Sequence, residues 1–411
     1  MCDKQKAKEI YLQALAAVMP KNLIPSALGY HDHVLTIENQ SFDLSTYRNI
    51  FVYGSGKASI EMARALDALL GDRIAKNVVV SNYHDRVAGV EIIESTHPLP
   101  SQKSLDAGER LIREFEAMGE EDFFIYLLSG GSSALIEKPI EGVSLEDFVE
   151  TTKVLLHHGL SIDEINTIRK NLSEIKGGGL ASHTKANGIV LVVSDVIGDD
   201  LQAIGSAPLL EDDSSLNEVK NIVDKYNILH LLPDSVKYIL ESDDTVFGKK
   251  PQVFPHFLIA SNRIALESAM KMAHKMDLRA KIVTDTLEGD VTEVADFIEK
   301  CVEDETAEVL LFGGEPTVNV KGAGNGGRNQ ELCLWMLKKR KTFTFLSAGS
   351  DGIDGNSDAA GAVVCEGDYH DSIESYLENS DSYHYLKKHN ALIMTGASGT
   401  NVMDIMIVLK A

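Results

Sequence analysis

Nine short runs of Val, Ile, Leu and Phe punctuate the chain, and most of them stop in a loop of glycine and small polar residues. They lie at 49–54, 77–82, 123–131, 188–195, 256–262, 280–285, 308–315, 342–352 and 391–399. The runs are continuous, not alternating, which suits strands covered on both faces, as in a parallel sheet flanked by helices. Helical patterns fall between them. Ile60, Ala63, Leu66 and Leu70 recur at i+3/i+4 spacing, and Ile264, Ala265, Ala269, Met272 and Met276 do the same. The alternation predicts an α/β protein of doubly wound layers. A length of 411 residues predicts two domains. A polar stretch with two prolines at 242–256 marks the expected boundary, giving domains 1–245 and 246–411.

The loops carry the functional signal. They read GSGKAS, SGGSSA, SDVIGDD, ASN, GGEPT, AGSDGIDG and TGASGTN. In open α/β sheets the ligand site lies beyond the carboxyl ends of the strands. Glycines there let backbone N–H groups approach a ligand, and helix N-termini attract anions. Seven such loops point to a phosphate-rich site. In VYGSGKAS, Gly54, Ser55 and Gly56 form the turn and Lys57 opens the helix. A cation there opposes the helix dipole, and a bound phosphoryl group would relieve that; the plain alternative is an exposed lysine on a tight turn. The loop is no Walker A, because Phe51 stands where a glycine is needed, and Ser59 spoils the dinucleotide fingerprint. LLSGGSSAL offers Ser129, Gly130, Gly131, Ser132 and Ser133 to a phosphate or carboxylate. SDVIGDD sets Asp195 at a strand end, suited to Mg²⁺, to a general base, or simply to turn formation. GAGNGGRNQE reads as a flexible loop that delivers the Arg328 guanidinium to planar carboxylate or phosphate oxygens, with a solvated arginine as the alternative.

Other classes drop out. The formal charge of −23 repels nucleic acid and anionic membranes. No run approaches the length of a membrane span. Neither H-E-x-x-H nor G-x-S-x-G occurs, which disfavours a zinc enzyme and an α/β-hydrolase. Cys2, Cys301, Cys333 and Cys365 form no close pairs, so four reduced thiols and a cytoplasmic location are expected.

Taken together the motifs resemble the glycerate kinases with a C-terminal MOFRL domain. The resemblance runs from about residue 5 to 408. It rests on VYGSGKAS, THPLP, LLSGGSSAL, INTIRKNLSEIKGG, SDVIGDD, IASNRIALESA, LEGDVTEVA, GGEPTV, GGRNQEL, DGIDGNSDAAGA and TGASGTNVMD. It implies a larger Rossmann-like N-terminal domain, a smaller α/β region holding the MOFRL domain at about 305–408, and a site in the cleft between them. It also implies ATP-dependent, Mg²⁺-assisted phosphorylation of D-glycerate at the 2-hydroxyl. Lys57, Arg328 and Asp195 fall on the catalytic positions. Gly54, Ser55, Gly56, Ser129, Gly130, Gly131, Ser132, Ser133, Glu315, Asn329 and Asp351 fall on substrate or nucleotide contacts, and Asp195 and Asp351 on metal positions. Small molecules are the implied partners, and a homodimer is one assembly the resemblance allows. Three departures stand out: Gly179 and Asn325 replace arginines frequent in the family, and TGASGTN replaces T-G-P-T-G-T-N. Two other functions stay open, an NAD(P)H-dependent hydroxypyruvate reductase and a non-catalytic sugar-phosphate-binding protein.

Overall fold

The computed structural model describes residues 2–212, 214–242 and 252–410. The chain divides into two compact units, Ile24–Val193 with Asp200–Ile259, and Met1–Leu23 with Ser194–Asp199 and Ala260–Ala411.

The first unit opens with an antiparallel meander of β1 (Leu28–His31), β2 (Val34–Ile37) and β3 (Gln40–Asp43). Its main sheet contains β4 (Asn49–Ser55), β5 (Ile74–Ser81), β6 (Glu91–Glu94), β7 (Asp122–Ser129), β8 (Asn187–Val193) and β9 (His256–Ala260). The strand order is β6-β5-β4-β7-β8-β9, and neighbours from β6 through β8 are parallel. Every residue of β7 is buried, as its continuous apolar run requires. A separate helical core gathers Phe148, Leu155, Ile165, Ile168, Val219 and Val236.

Among the described residues the sheet of the second unit likewise has six strands: β10 (Ala280–Leu287), β11 (Val309–Gly314), β12 (Phe343–Gly349), β13 (Gly361–Cys365), β14 (Leu392–Ile393) and β15 (Asp404–Lys410). Their order is β10-β11-β15-β12-β13-β14. Here the expected parallel sheet is corrected. Only β10 and β11 run parallel, and every other pairing is antiparallel. An antiparallel strand covered on both faces shows the same continuous apolar run as a parallel one, so the run cannot report direction.

The sequence boundary near 245 differs from this division, and its residues 243–251 lie outside the described residues. The N-terminal helix Lys4–Val18 belongs with the C-terminal sheet. Asp3 caps it by accepting from the Lys6 N–H, and Ala7, Ile10, Tyr11, Ala14, Leu15 and Val18 form its buried stripe. That stripe packs on the helix Asn262–Lys275 and on β12, β13 and β15. Lys4 bridges Asp368 at 2.7 Å.

The same packing corrects the expectation of four free thiols. Cys2 and Cys365 are joined in a disulfide with Cα atoms 5.7 Å apart, while Cys301 and Cys333 are free. The two cysteines are 363 residues apart in sequence, so only the docked helix brings them together. The argument for a reducing compartment loses its premise. Among the described residues no helix is long and apolar enough to cross a membrane.

Candidate active site

In the first unit, two strand-end loops lie against each other. Gly54 and Gly56 are glycines by necessity. A Cβ at Gly54 would stand 2.7 Å from the Leu127 carbonyl oxygen, and one at Gly56, where φ is +131°, would stand 2.5 Å from the Ser129 carbonyl oxygen. Ser55 Oγ bonds the Tyr126 hydroxyl at 2.7 Å and also meets Ser132 Oγ. Ser129 Oγ accepts from the Ala58 N–H at 3.1 Å. Ser55, Ser129 and Ser132 are thus buried struts between the loops, not open ligand contacts.

Lys57 stands where the loops meet. Its N–H donates to the Gly130 carbonyl at 2.9 Å. Its side chain passes Gly131, whose Cβ position lies 3.3 Å from Lys57 Cγ and 3.2 Å from His97 Cδ2. Among the described residues no carboxylate forms an ion pair with the Lys57 ammonium. Burial, and then the Lys57 charge, hold the His97 imidazole below its ordinary value. Ser133 is half-buried and bonds Ser206 Oγ at 2.7 Å. Its carbonyl accepts from Arg169 Nη2 and from Lys176 Nζ, each at 2.9 Å. Lys57, Arg169 and Lys176 thus set cations around the SGGSSA loop, with the His97 ring biased toward its neutral form beside Lys57. Sequence reasoning singled out only Lys57. The signal for the rest lay in THPLP and INTIRKNLSEIKGG, whose polar residues were read as motif and not as chemistry.

In the second unit, Arg328 begins the helix Arg328–Lys338. The expected open guanidinium is instead occupied. Nε and Nη2 fork onto Asp404 at 2.5 and 3.1 Å, and Nη1 reaches Glu315 at 2.9 Å. Asp404 is 1% exposed. Burial is the largest single effect and lowers the guanidinium, but the charge and hydrogen bond of Asp404, with Glu315 and Asp354, together outweigh it and hold the group above its ordinary value. The preceding glycine loop is pinned, not flexible. Gly324 N–H donates to the Asn379 carbonyl at 3.0 Å, Asn325 N–H to Asp381 at 3.0 Å, and Gly326 N–H to Asn356 at 2.8 Å. A Cβ at Gly327 would fall 2.3 Å from Asp354 Oδ1. The glycines serve close packing.

Asp354 caps the helix that Arg328 begins. It accepts from the Asn329 N–H at 3.1 Å and the Gln330 N–H at 2.9 Å. Burial, and then the neighbouring Asp404, push its carboxyl up to about 6. Asn329 lies in the interior, its amide oxygen accepting from Ser347 Oγ at 2.6 Å. Asp351 Oδ1 accepts from the Ile353 N–H at 3.1 Å. Asp351 and Asp404 flank Gly349, whose carbonyl accepts from the Tyr11 hydroxyl at 2.8 Å. Asp195 follows β8, with the Asn401 amide 3.5 Å from its carboxylate. Asp195 and Asp351 were the expected metal positions. Among the described residues no three of His, Cys, Asp or Glu are grouped to hold a metal ion.

Comparison with known proteins gives this geometry its context. Residues 6–241 match a domain of unknown function, DUF4147, and residues 308–404 match the MOFRL family. A glycerate 2-kinase of Pyrococcus horikoshii is 36% identical, over 97% of this chain and 95% of its own. The chain belongs to the glycerate kinase family. A D-glycerate 2-kinase of Thermotoga maritima is 35% identical over 99% of this chain and 98% of its own. A glycerate kinase of Rattus norvegicus is 31% identical over 100% and 93%. The crystal structure of a Thermotoga maritima glycerate kinase superposes with a TM-score of 0.87 at 34% identity, covering 99% of both chains.

Within this glycerate kinase family member, the two missing arginines have different surroundings. At Gly179 a Cβ would stand 2.4 Å from the Glu174 carbonyl oxygen, so this backbone leaves no room for a side chain. Asn325 is held through its own backbone, its carbonyl accepting from the Tyr383 N–H at 2.9 Å.

Proposed function

We propose that this protein transfers the γ-phosphoryl group of ATP to the 2-hydroxyl of D-glycerate, giving 2-phosphoglycerate and ADP. The observation that supports it most is Lys57. Its backbone is fixed by Gly130, it lies beside Gly131 and His97, and no carboxylate of the described chain is paired with it. Phosphoryl transfer asks little covalent chemistry of a protein and much positioning and charge neutralisation. In this reading Lys57 offsets charge on the transferred group, and the Gly130–Ser133 loop seats an anionic group of substrate or nucleotide. The family resemblance assigns the hydroxyl proton to Asp195. Arg328 holds Asp404 and Glu315 in place. Mg²⁺ neutralises nucleotide phosphates in such reactions; with no metal-holding cluster among the described residues, no step is assigned to it.

The names of the relatives support glycerate as the acceptor. The reductase alternative needs a nicotinamide site, and the first glycine loop lacks the third glycine of that fingerprint. The test is an assay with two arms and a binding measurement. With D-glycerate and ATP, a phosphorylated product and ADP are expected. With hydroxypyruvate and NADH or NADPH, no cofactor oxidation is expected. Reduction of hydroxypyruvate without ATP-dependent turnover of glycerate would overturn the reading, and binding of either substrate with no turnover would favour the non-catalytic alternative.

A further inference from the structure

Beneath the SGGSSA loop lie charges that the proposed chemistry leaves unused. The helix Ile162–Lys170 starts from a capping box of Ser161 and Glu164 and carries Arg169 near its end. Lys176 follows in the next turns. Lys176 and Glu137 pair at 3.0 Å with side chains only 1% and 0% exposed. The other Glu137 oxygen accepts from Ser173 Oγ at 2.5 Å and from the Lys138 N–H at 3.0 Å. Arg169 Nε is shut off from solvent with no acceptor. Lys176 pairs with this enclosed carboxylate, Arg169 feels its charge, and both cations spend a donor on the same backbone oxygen, that of Ser133.

That oxygen begins a chain of bonds that ends at the loop glycines. The peptide carrying the Ser133 carbonyl also carries the Ala134 N–H, which donates to the Gly131 carbonyl at 3.1 Å. Gly131 is held at φ +85° beside Lys57, and Gly130 accepts from the Lys57 N–H at 2.9 Å. Hydrogen bonds from ionised donors are about twice as strong as neutral ones, and bonds in series polarise one another. A carbonyl gripped by two cations is a firm anchor for a turn that must keep a left-handed glycine.

We propose that Arg169 and Lys176 are positioning residues for the phosphoryl-transfer site: they clamp the Ser133 carbonyl and, through Ala134, hold Gly131 in the conformation that presents Lys57. The inference rests on the reading that the Lys57 loops form that site, but the clamp itself can be measured without substrate.

The test uses the full chain with Arg169→Met, Arg169→Lys, and the paired change Lys176→Met with Glu137→Gln. The pair is needed because removing Lys176 alone strands a buried carboxylate and threatens the fold. Two readouts are taken. Amide hydrogen exchange of the segment 129–135 is expected to rise about tenfold in Arg169→Met and in the paired variant, with peptides of β10 to β15 unchanged. Arg169→Lys keeps a charged donor and is expected to restore protection. In turnover of glycerate, Arg169→Met is expected to lose about 10²-fold in kcat with little change in KM, as a small misplacement of a catalytic group does, and Arg169→Lys to recover most of it. Unchanged exchange at 129–135 in Arg169→Met overturns the clamp. So does a kcat loss that Arg169→Lys shares in full and that follows a fall in melting temperature. If exchange changes as expected while the parent chain shows no ATP-dependent turnover of glycerate, the clamp stands and the functional reading falls.

Discussion

Lys57→Ala is expected to lower kcat by about 10²–10³-fold, equivalent to ~3–4 kcal/mol, as loss of a preorganised electrostatic contact does. The fall should appear in kcat more than in KM, because charge on the transferred group peaks in the transition state. Stability should stay within about 0.5 kcal/mol of the parent, as for surface positions free of special contacts. The structure gives the reason. The tie that fixes the turn is the Lys57 N–H to Gly130 bond, and alanine keeps that N–H. The ammonium forms no ion pair whose loss would be felt in folding. Steady-state kinetics with a thermal melt on the same preparation checks both halves. Normal turnover by Lys57→Ala would remove these loops from the active site.

Arg328→Ala is expected to act the other way, through the fold. It leaves Asp404, 1% exposed at the first residue of the inner strand β15, without the guanidinium that forks onto both its oxygens. Stranding a buried carboxylate costs on the order of 3–5 kcal/mol. Arg328→Lys should recover little, because one ammonium cannot span both Asp404 oxygens and Glu315. Adding Asp404→Asn to Arg328→Ala should return part of the loss, since an amide needs no counter-charge, and the non-additivity of that cycle measures the pair. Melting temperatures of the parent, Arg328→Ala, Asp404→Asn, the double variant and Arg328→Lys check this. A parent-like melt for Arg328→Ala would show that the pair carries no stability and would return Arg328 to the role of an open cation.

These two residues also show what was legible in the sequence. Lys57 sits in a strand-end glycine loop that its own residues declare, and the second loop that meets it, though distant in the chain, declares itself by the same pattern at the end of an adjacent parallel strand. Pattern and spacing report such things. Arg328 looked alike, a cation after glycines, yet its partner Asp404 is 76 residues away, and no local pattern encodes which acid a distant strand will set beside it. The same limit hid three other features. The closing IMIVL segment is the core of β15, paired between β11 and β12, and a strand at the chain end gives no sign of lying mid-sheet. The helix Lys4–Val18 showed its amphipathic stripe but not which unit it would cover, and so Cys2 showed nothing of Cys365. Arg169 and Lys176 stood in a quoted motif, but their meaning comes from converging on one carbonyl oxygen. The α/β class, the first sheet and its loops were legible because burial on both faces writes itself into continuous apolar runs; strand direction in the second sheet was not, because burial is blind to it.

The most direct test of the central claim is the position of the transferred phosphoryl group. D-Glycerate and ATP are incubated with the full chain, and the product is passed to enolase alone, then to enolase with phosphoglycerate mutase. Conversion to phosphoenolpyruvate by enolase without mutase is the result expected for 2-phosphoglycerate. Phosphoenolpyruvate that forms only after mutase is added would show transfer to the 3-hydroxyl and contradict the account.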